Sequence, residues 1–585
     1  MNKFILYFII SICLIATSCK NKSTHSYLPE LIEHSSATES SVELKTSTIQ
    51  DWLKLKIDKA QKDSASNITT EVEPNLFATV PIIEVYHQNE FEPLWVNENG
   101  LNKNGEELLK VLTKTEQYGL LKNYYGAENI SSAVQLLLKK NENLETLADI
   151  ELSLTNAWLL FALHLHEGAI YQDQMLNKDF GNQIDFYVQT LLKSLKKNRI
   201  KTTLEELQPQ DFQYKNLQSV LVQLSTSKNK LPKGFSIPDH KSDSVACANK
   251  VIEALKYHGR LDTSEVNHQK YISTLKQFQL DHGLEADGIP GPNTRTLLLL
   301  DNEEKYKRIA INLDKWRGQK YQFPEEYLFV NVPAFELYWI KNNEVIEKHR
   351  VIVGKPGSST PDIISEIYLV VINPDWTVPQ SIIRGELRHK SSGYLSKYNI
   401  FQNGNKVSPG AVRWNSGSIR VVQPPGPSNA LGNIKFLFKN NHSVYLHDTP
   451  SRNLFSNSVR AYSHGCIRVQ NPLELGQNLL KRDGMELSLD SINCIIDTRK
   501  TNNISLKNKM PIYIQYYTSA AKSTTQAVFY PDLYNRQEKL AAVLFYGKYN
   551  QKANVNQAKK ELPSIKAKPQ AIELPKDSLS LQSTP

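Results

Sequence analysis

The sequence predicts a multidomain α+β protein in which a helical first half gives way to a mostly β domain. Three observations predict it. The chain has 585 residues, room for several domains at about 100 to 200 residues each. Apolar residues recur at three- and four-residue steps from about Pro74 to Leu300. From about residue 305 the text changes to short runs rich in β-branched and aromatic residues, separated by turn clusters. Hydrophobic residues make up 40%, charged residues 22% and aromatic residues 9%, a composition that supports packed cores. The formal charge of +9 arises from 69 basic residues spread along the chain against 60 acidic ones. That favours a mild attraction to anionic surfaces, and nucleic acid is not an expected partner.

The N-terminus reads "MNKFILYFIISICLIATSCK", an apolar run from Phe4 to Ala16 behind one lysine and ahead of small residues. The run is too short to span a bilayer comfortably, and its flanks mark residues 1–18 as a secretory signal. It resembles a bacterial lipoprotein signal, with Ala16, Thr17 and Ser18 before Cys19. The resemblance implies lipidation of Cys19 and a periplasmic, membrane-anchored protein, since several acyl chains hold far better than one. Residues 19–70, rich in Ser, Thr, Lys and Glu, read as a flexible tether. No later stretch is expected to cross a membrane.

Residues 71–240 are expected to form a helical domain, on runs such as "GEELLKVLTKTEQYGL" and "LETLADIELSLTNAWLLFALHLHEG". His164 and His166 in the second run point to different helix faces and are read as structural, because a metal site needs several convergent ligands. Residues 243–303 read as a small helical bundle, a hairpin with tight turns. Ile272, Leu275 and Phe278 share a stripe, the chain breaks at Asp281–Gly283 and turns at Asp287–Gly288, and a new helix starts near Asn293 or Thr294.

The β domain spans about 305–520, with strands expected at "YLFVNV", "FELYWI", "KHRVIVG", "EIYLVVINP", "IKFLF", "SVYLHD" and "PIYIQYYT". A long interruption, Trp376 to about Asn433, separates the fourth and fifth. Such length in a compact domain points to a lid or binding loop. Residues 521–585 are a C-terminal extension whose Lys- and Pro-rich end reads as disordered.

The chemistry concentrates in "YSHGCIRV" (462–469) and in "YLHDTP" upstream of it. Cys13 leaves with the signal and Cys19 would carry lipid, which leaves Cys247, Cys466 and Cys494, an odd number of which at least one thiol stays free. A Cys466–Cys494 disulfide is possible in an oxidising compartment. Zinc on His447, Asp448, His464 and Cys466 is a further alternative, though the spacing lacks a second Cys pair. A buried inert thiol is the bland one, opposed by the polar, turn-forming neighbours Ser463, His464, Gly465 and Arg468. In the remaining reading His447, at the end of a strand, takes the proton of Cys466, which sits in a loop before a helix capped by Asn471 with Pro472 in its first turn. His464 and Gly465 would then orient the thiol and offer a backbone N–H to an oxyanion. The residues alone support an exported Cys/His enzyme and leave its substrate open.

"YLHDTPSRNLFSNSVRAYSHGCIRV" resembles the active-site signature of the L,D-transpeptidases. "NLDKWRG", "YLFVNVPAFELYWI", "VIVGKPGSSTPDIISEIYLVVINPDWTVPQSI", "PPGPSNALGNIKFLF", "MPIYIQYYTS" and "FYPDLY" are similar to the larger branch of that family, and "LKQFQLDHGLEADGIPGPNTRTLL" resembles a peptidoglycan-binding domain. "NLDKWRGQ" departs from the pattern, lacking the aromatic pair usual after its Trp-Arg step. The resemblance implies a helical scaffold domain, a peptidoglycan-binding domain and a lid-bearing catalytic domain. It also implies a cysteinyl acyl-enzyme that forms 3→3 cross-links between peptidoglycan stem peptides without a metal or cofactor, and that is acylated by carbapenems. His447 would be proton acceptor and donor, and His464 and Gly465 would shape the site. Arg468 would hold a substrate carboxylate, with Ser463 and Trp376 also counted as substrate-binding. Cell-wall synthases are possible partners. L,D-carboxypeptidase or cross-link hydrolase activity, or a non-catalytic wall-binding scaffold, are the alternatives.

Overall fold

The computed structural model describes residues 47–62, 70, 79–137, 143–170, 180–227, 230–262, 266–319 and 323–546. All belong to one compact unit that begins at Ser47. The signal, Cys19, most of the tether and the C-terminal end lie outside the described residues.

The helical half is built around Leu144–Glu167, whose apolar residues cover every face and are buried on all of them. By length and composition this helix could cross a membrane, contrary to expectation for any stretch after the leader, yet here it is the scaffold's core. Its histidines are structural. His164 Nδ1 bonds the Tyr125 hydroxyl at 2.8 Å, and His166 Nδ1 bonds that of Tyr187 at 3.0 Å.

The next unit has three helices, Ser244–Tyr257, His268–Asp281 and Pro292–Leu298. The third begins one or two residues earlier than expected, because proline is well tolerated in a first turn whose N–H groups lack partners. The Phe-Gln and Asp-Gly pairs of the motif meet in space. Buried Gln279 donates to Asp287 Oδ1 and the Ile289 carbonyl, both at 2.8 Å, and accepts from Gly288 N–H at 2.9 Å.

Nine strands make the sheet of the β domain: β1 Glu326–Asn331, β2 Glu336–Lys341, β3 Glu344–Gly354, β4 Ile363–Ile372, β5 Ile434–Phe438, β6 Leu446–His447, β7 Ala461–Ser463, β8 Ile467–Val469 and β9 Asn502–Gln515. Pairing runs β1-β2-β3-β8-β6-β5-β4-β9 and returns to β1, so the ring closes, and β7 adds parallel to β3. Alternation explains the continuous apolar text of β1. Leu328 and Val330 face the interior of the ring, while Tyr327 and Phe329 face the helical core. Helix Pro472–Arg482 buries Leu475, Leu479 and Leu480 against the ring's interior. Gly476 permits that approach, since a Cβ there would lie 2.5 Å from Ile434 Cδ1. Asn471 precedes this helix as expected but does not cap it with its side chain. It adopts a left-handed backbone (φ 52°), a conformation asparagine tolerates better than most residues.

Helix Asn302–Gln319 joins the two halves, and "NLDKWRG" lies in its last turns. Asn312 and Lys315, three apart and thus on one face, reach the β domain. Asn312 accepts from Thr518 N–H at 3.1 Å, and Lys315 pairs with Asp362 and donates to the Tyr516 carbonyl at 3.1 Å. Asp314 and Arg317 reach the scaffold. Asp314 accepts from Ala169 and Ile170 N–H at 2.7 and 2.8 Å, and Arg317 donates to the Tyr214 hydroxyl at 2.9 Å and the Tyr118 carbonyl at 2.5 Å. Trp316 stacks on Tyr517, ring centroids 5.1 Å apart.

The interruption after β4 is not a loop. It is a small folded unit with a four-stranded antiparallel sheet and its own core, including Ile382, Leu395, Ile400 and Val421. Its Pro/Gly-rich exit is tied down by buried Asn429, whose amide donates to the carbonyls of Pro374 at 3.0 Å and Pro424 at 2.9 Å.

Candidate functional site

The site is set by two short strands in parallel register, Leu446 opposite Ile467 and His447 opposite Arg468, with Ile467 N–H donating to the Tyr445 carbonyl at 3.1 Å. Side chains alternate along a strand. Leu446 and Ile467 therefore point into the ring, both fully buried, while Tyr445 and His447 share the other face with Cys466 and Arg468. The segments "YLH" and "CIR" carry this pattern, an apolar residue between two functional ones. Neither β7 nor β8 was expected from the sequence.

His447 is 5% exposed, and its Nδ1 lies 2.5 Å from the Asp448 carbonyl oxygen. A carbonyl only accepts, so Nδ1 carries the proton and Nε2 keeps its lone pair. Burial, with the nearby Arg468 and Lys435 charges, pulls the imidazole down to about 3, so it is neutral at physiological pH. Cys466 is half-buried, its Sγ 3.7 Å from the Ser443 carbonyl. Burial raises the thiol, while hydrogen bonds from Tyr445 and the Arg468 charge lower it. The expectation that polar neighbours would keep this thiol out of the interior is thus only half met. Cys247, Cys466 and Cys494 are all free, so there is no Cys466–Cys494 disulfide.

Arg468 is no solvated loop charge. It lies on β8, partly buried, and its Nε has no hydrogen-bond partner. Tyr445 was quoted in the sequence but given no role. Its hydroxyl interacts with both the Cys466 sulfur and Trp376, and its ring packs edge-on to His447 at 5.6 Å. Trp376 stands on the first strand of the insertion, opposite Gln423.

The turn between β7 and β8 is held from behind. Ser463, buried, donates to the Cys466 carbonyl at 2.5 Å and accepts from Gly465 N–H at 3.2 Å. That N–H is thereby turned inward, away from the oxyanion role expected for it, and the Ser463 hydroxyl is a brace within the turn. Gly465 has φ +112°, a backbone that side chains other than glycine rarely allow. Thr360 accepts from Gly354 N–H and donates to the Gly465 carbonyl, both at 2.9 Å. Arg460, buried, donates to the carbonyls of Val351, Asn457 and Phe335. Tyr534, from "FYPDLY", donates to the Gly354 carbonyl at 2.7 Å. Sequence reading assigned no role to Thr360 and Arg460, although both lie within the quoted motifs.

His464 is exposed, its Nε2 2.7 Å from Glu386 Oε1 of the insertion. Asp448 Oδ2 accepts from Asn433 N–H at 2.9 Å, fixing the other end of the insertion. His447, Asp448, His464 and Cys466 consequently do not converge as ligands, and no cluster of three or more His, Cys, Asp or Glu occurs among the described residues.

Comparison with known proteins identifies the domains that carry and precede this site. Residues 325–489 match the YkuD family, described as the L,D-transpeptidase catalytic domain, residues 81–221 match its scaffold domain, and residues 250–298 match the "Putative peptidoglycan binding domain". A Haemophilus influenzae protein named "Putative L,D-transpeptidase" is 35% identical over 228 residues, covering 37% of this chain and 46% of that protein. The likeness thus spans just under half of that relative. Among solved structures, an L,D-transpeptidase from Mycobacterium smegmatis has 16% identity and a TM-score of 0.17 over 33% of this chain and 58% of its own. Another from Stackebrandtia nassauensis has 13% identity and a TM-score of 0.18 over 46% and 90%. The β domain is a catalytic domain of the L,D-transpeptidase type. Ahead of it the chain carries the matches to a scaffold domain and a peptidoglycan-binding domain.

Proposed function

We propose that this protein is a cysteine-dependent peptidoglycan L,D-transpeptidase that forms 3→3 cross-links. The observation that carries the proposal is the neutral His447, its Nδ1–H committed to the Asp448 carbonyl and its Nε2 free beside the strand end bearing Cys466. Nε2 takes the thiol proton, and the thiolate attacks the carbonyl of the third stem residue, a diamino acid. The Cys466 N–H, with no acceptor among the described residues, remains to meet the oxyanion. The terminal D-Ala leaves with the proton from His447. The side-chain amine of a second stem then attacks the thioester, loses its proton to His447 and releases the thiolate.

Charge supports an anionic substrate. Arg468 offers an unpartnered Nε beside the thiol. The insertion, 376–433, carries Arg384, Arg388, Lys390, Lys397, Lys406, Arg413 and Arg420 against Glu386 alone. Glu386 bonds His464, and none of the seven cations forms an ion pair among the described residues. A one-signed rim of this kind draws carboxylate-bearing peptides toward the cleft. Trp376, at the base of the insertion beside Tyr445, would meet the stem. Lipidation at Cys19 would hold the enzyme at a periplasmic membrane surface.

The test is to incubate purified protein with disaccharide-tetrapeptides and resolve products by mass. Dimers lacking one D-Ala support transfer, and tripeptides alone would indicate L,D-carboxypeptidase action at the same site. No product with wild-type protein, or full activity and undiminished carbapenem labelling in Cys466→Ala, overturns the mechanism.

A further inference from the structure

A second polar cavity lies far from the signature in sequence, where the three-helix module, the scaffold helix Phe212–Thr226 and the hairpin 519–529 meet. It has a volume of about 180 Å³. Its polar wall is made by His258, Arg260, His282 and Lys305, and its apolar wall includes Leu224 and Phe278. A space this small admits an oxyanion or one amino-acid terminus, whereas pockets for larger ligands run to about 300 Å³ and above.

The hydrogen bonds fix which groups can receive a ligand. His258 Nε2 lies 2.9 Å from the Leu298 carbonyl and must donate to it, so Nδ1 accepts from the Lys305 ammonium at 2.7 Å. His282 Nδ1 accepts from Phe529 N–H at 3.1 Å, which places the ring proton on Nε2. Phe278 packs against both imidazoles, with centroid distances of 5.9 and 4.3 Å. Burial keeps both rings neutral, each drawn down to about 3, and lowers Lys305 to about 8.

Asp301 supplies the opposite charge acting on Lys305, but only at a distance and without an ion pair. Asp281 is already occupied by Arg260 at 2.5 Å, Lys522 at 2.9 Å and Gln277 at 3.0 Å. Asp301 accepts from Glu304 N–H at 2.8 Å, and Lys305 has no ion pair among the described residues. A cation held largely out of water with its counter-charge only at a distance, and beside the Arg260 charge, is unfavourable, and charge-assisted hydrogen bonds to an anion relieve it.

We propose that this cavity is an anion-binding site, in which Lys305, the remaining N–H groups of Arg260 and the His282 Nε2–H hold a single carboxylate or phosphate group. Because its walls come from separate parts of the chain, an occupant fastens the three-helix module to the scaffold and hairpin and stabilises the whole by mass action. The site does not depend on the transfer chemistry at Cys466.

The shared chemistry is an oxyanion, and two probes separate its sources: inorganic phosphate, and N-acetyl-D-alanine for a peptide terminus. Each is titrated calorimetrically into the full chain at fixed ionic strength, with melting followed in parallel. At least one probe should saturate and raise the Tm. Lys305→Gln should weaken that probe about tenfold to a hundredfold, the loss of one hydrogen bond to a charged group, while Lys305→Arg stays within a few-fold. No saturable binding of either probe, or equal affinity in Lys305→Gln, overturns the site. Should Lys305→Gln not fold, the His258 and His282 ring-proton resonances of the wild type decide. They move in saturation with the probe if the site is real, and unmoved resonances overturn it.

Discussion

The strand ends that carry Cys466 and His447 and the insertion that reaches them are built on opposite plans. Buried hydrogen bonds from Ser463, Thr360, Arg460 and Tyr534 converge on the signature turn and its neighbours. The insertion has its own core and touches the turn through one exposed bond, Glu386 to His464. The difference teaches how such a site divides labour. In the proposed mechanism, groups that handle protons are preorganised by the fold, and the insertion, the part proposed to meet the substrate, is left separable.

The comparison is broken most severely at the signature itself. Cys466→Ala and His447→Ala should each lower turnover by about a thousandfold or more, and the double variant should be no worse than the poorer single one, since both act in one unit. Mass-resolved product assays check this. Additive losses would show that the two residues act independently.

Thr360→Val tests the support behind the turn. It leaves the Gly354 N–H and the Gly465 carbonyl without their shared partner, a cost of about 1–3 kcal/mol per buried group, read by denaturant unfolding. Turnover should fall with it, because Gly465 directly precedes the proposed nucleophile, Cys466.

pH sharpens the same contrast. The folded imidazole of His447 lies at about 3 against an ordinary value of 6.5. Its contribution to stability is therefore complete above about 6.5 and is lost as pH falls toward 3. The unfolded chain binds the extra proton, giving a slope of up to about 1.4 kcal/mol per pH unit. His447→Gln should be flatter than wild type by that one proton between pH 6.5 and 4 in urea midpoints. Parallel curves would mean the ring is already charged in the fold.

The smallest effect belongs to Glu386→Gln. An exposed contact of this kind contributes under about 1 kcal/mol, so unfolding should hardly change. The expected signature is faster hydrogen exchange across 376–423 with the 461–469 segment unaltered. Equal slowing or quickening of both segments would join what the structure separates.

Much of this was readable beforehand. Alternating and continuous apolar runs announced the long strands, and His447 and Cys466 announced themselves by residue type and spacing. Other features were hidden for physical reasons. Strands of three residues, such as Ile467–Val469, are too short to show a period. Glu386 meets His464 across 78 residues of sequence, a separation no local pattern encodes. The insertion read as a loop because its core is assembled from single apolar residues scattered among polar ones.

The face of the ring that carries Tyr327, Phe329, Tyr513 and Tyr517 has no surface of its own, because it shares its packing with Trp316 on the joining helix. Cutting the chain after Gln319 to obtain a minimal enzyme would leave four aromatic rings in water and strand Asp362 without Lys315. The β domain is thus inherited together with its helical companion. Recombination that exchanges one for another lineage's version must carry the joining helix along, or lose the fold of both.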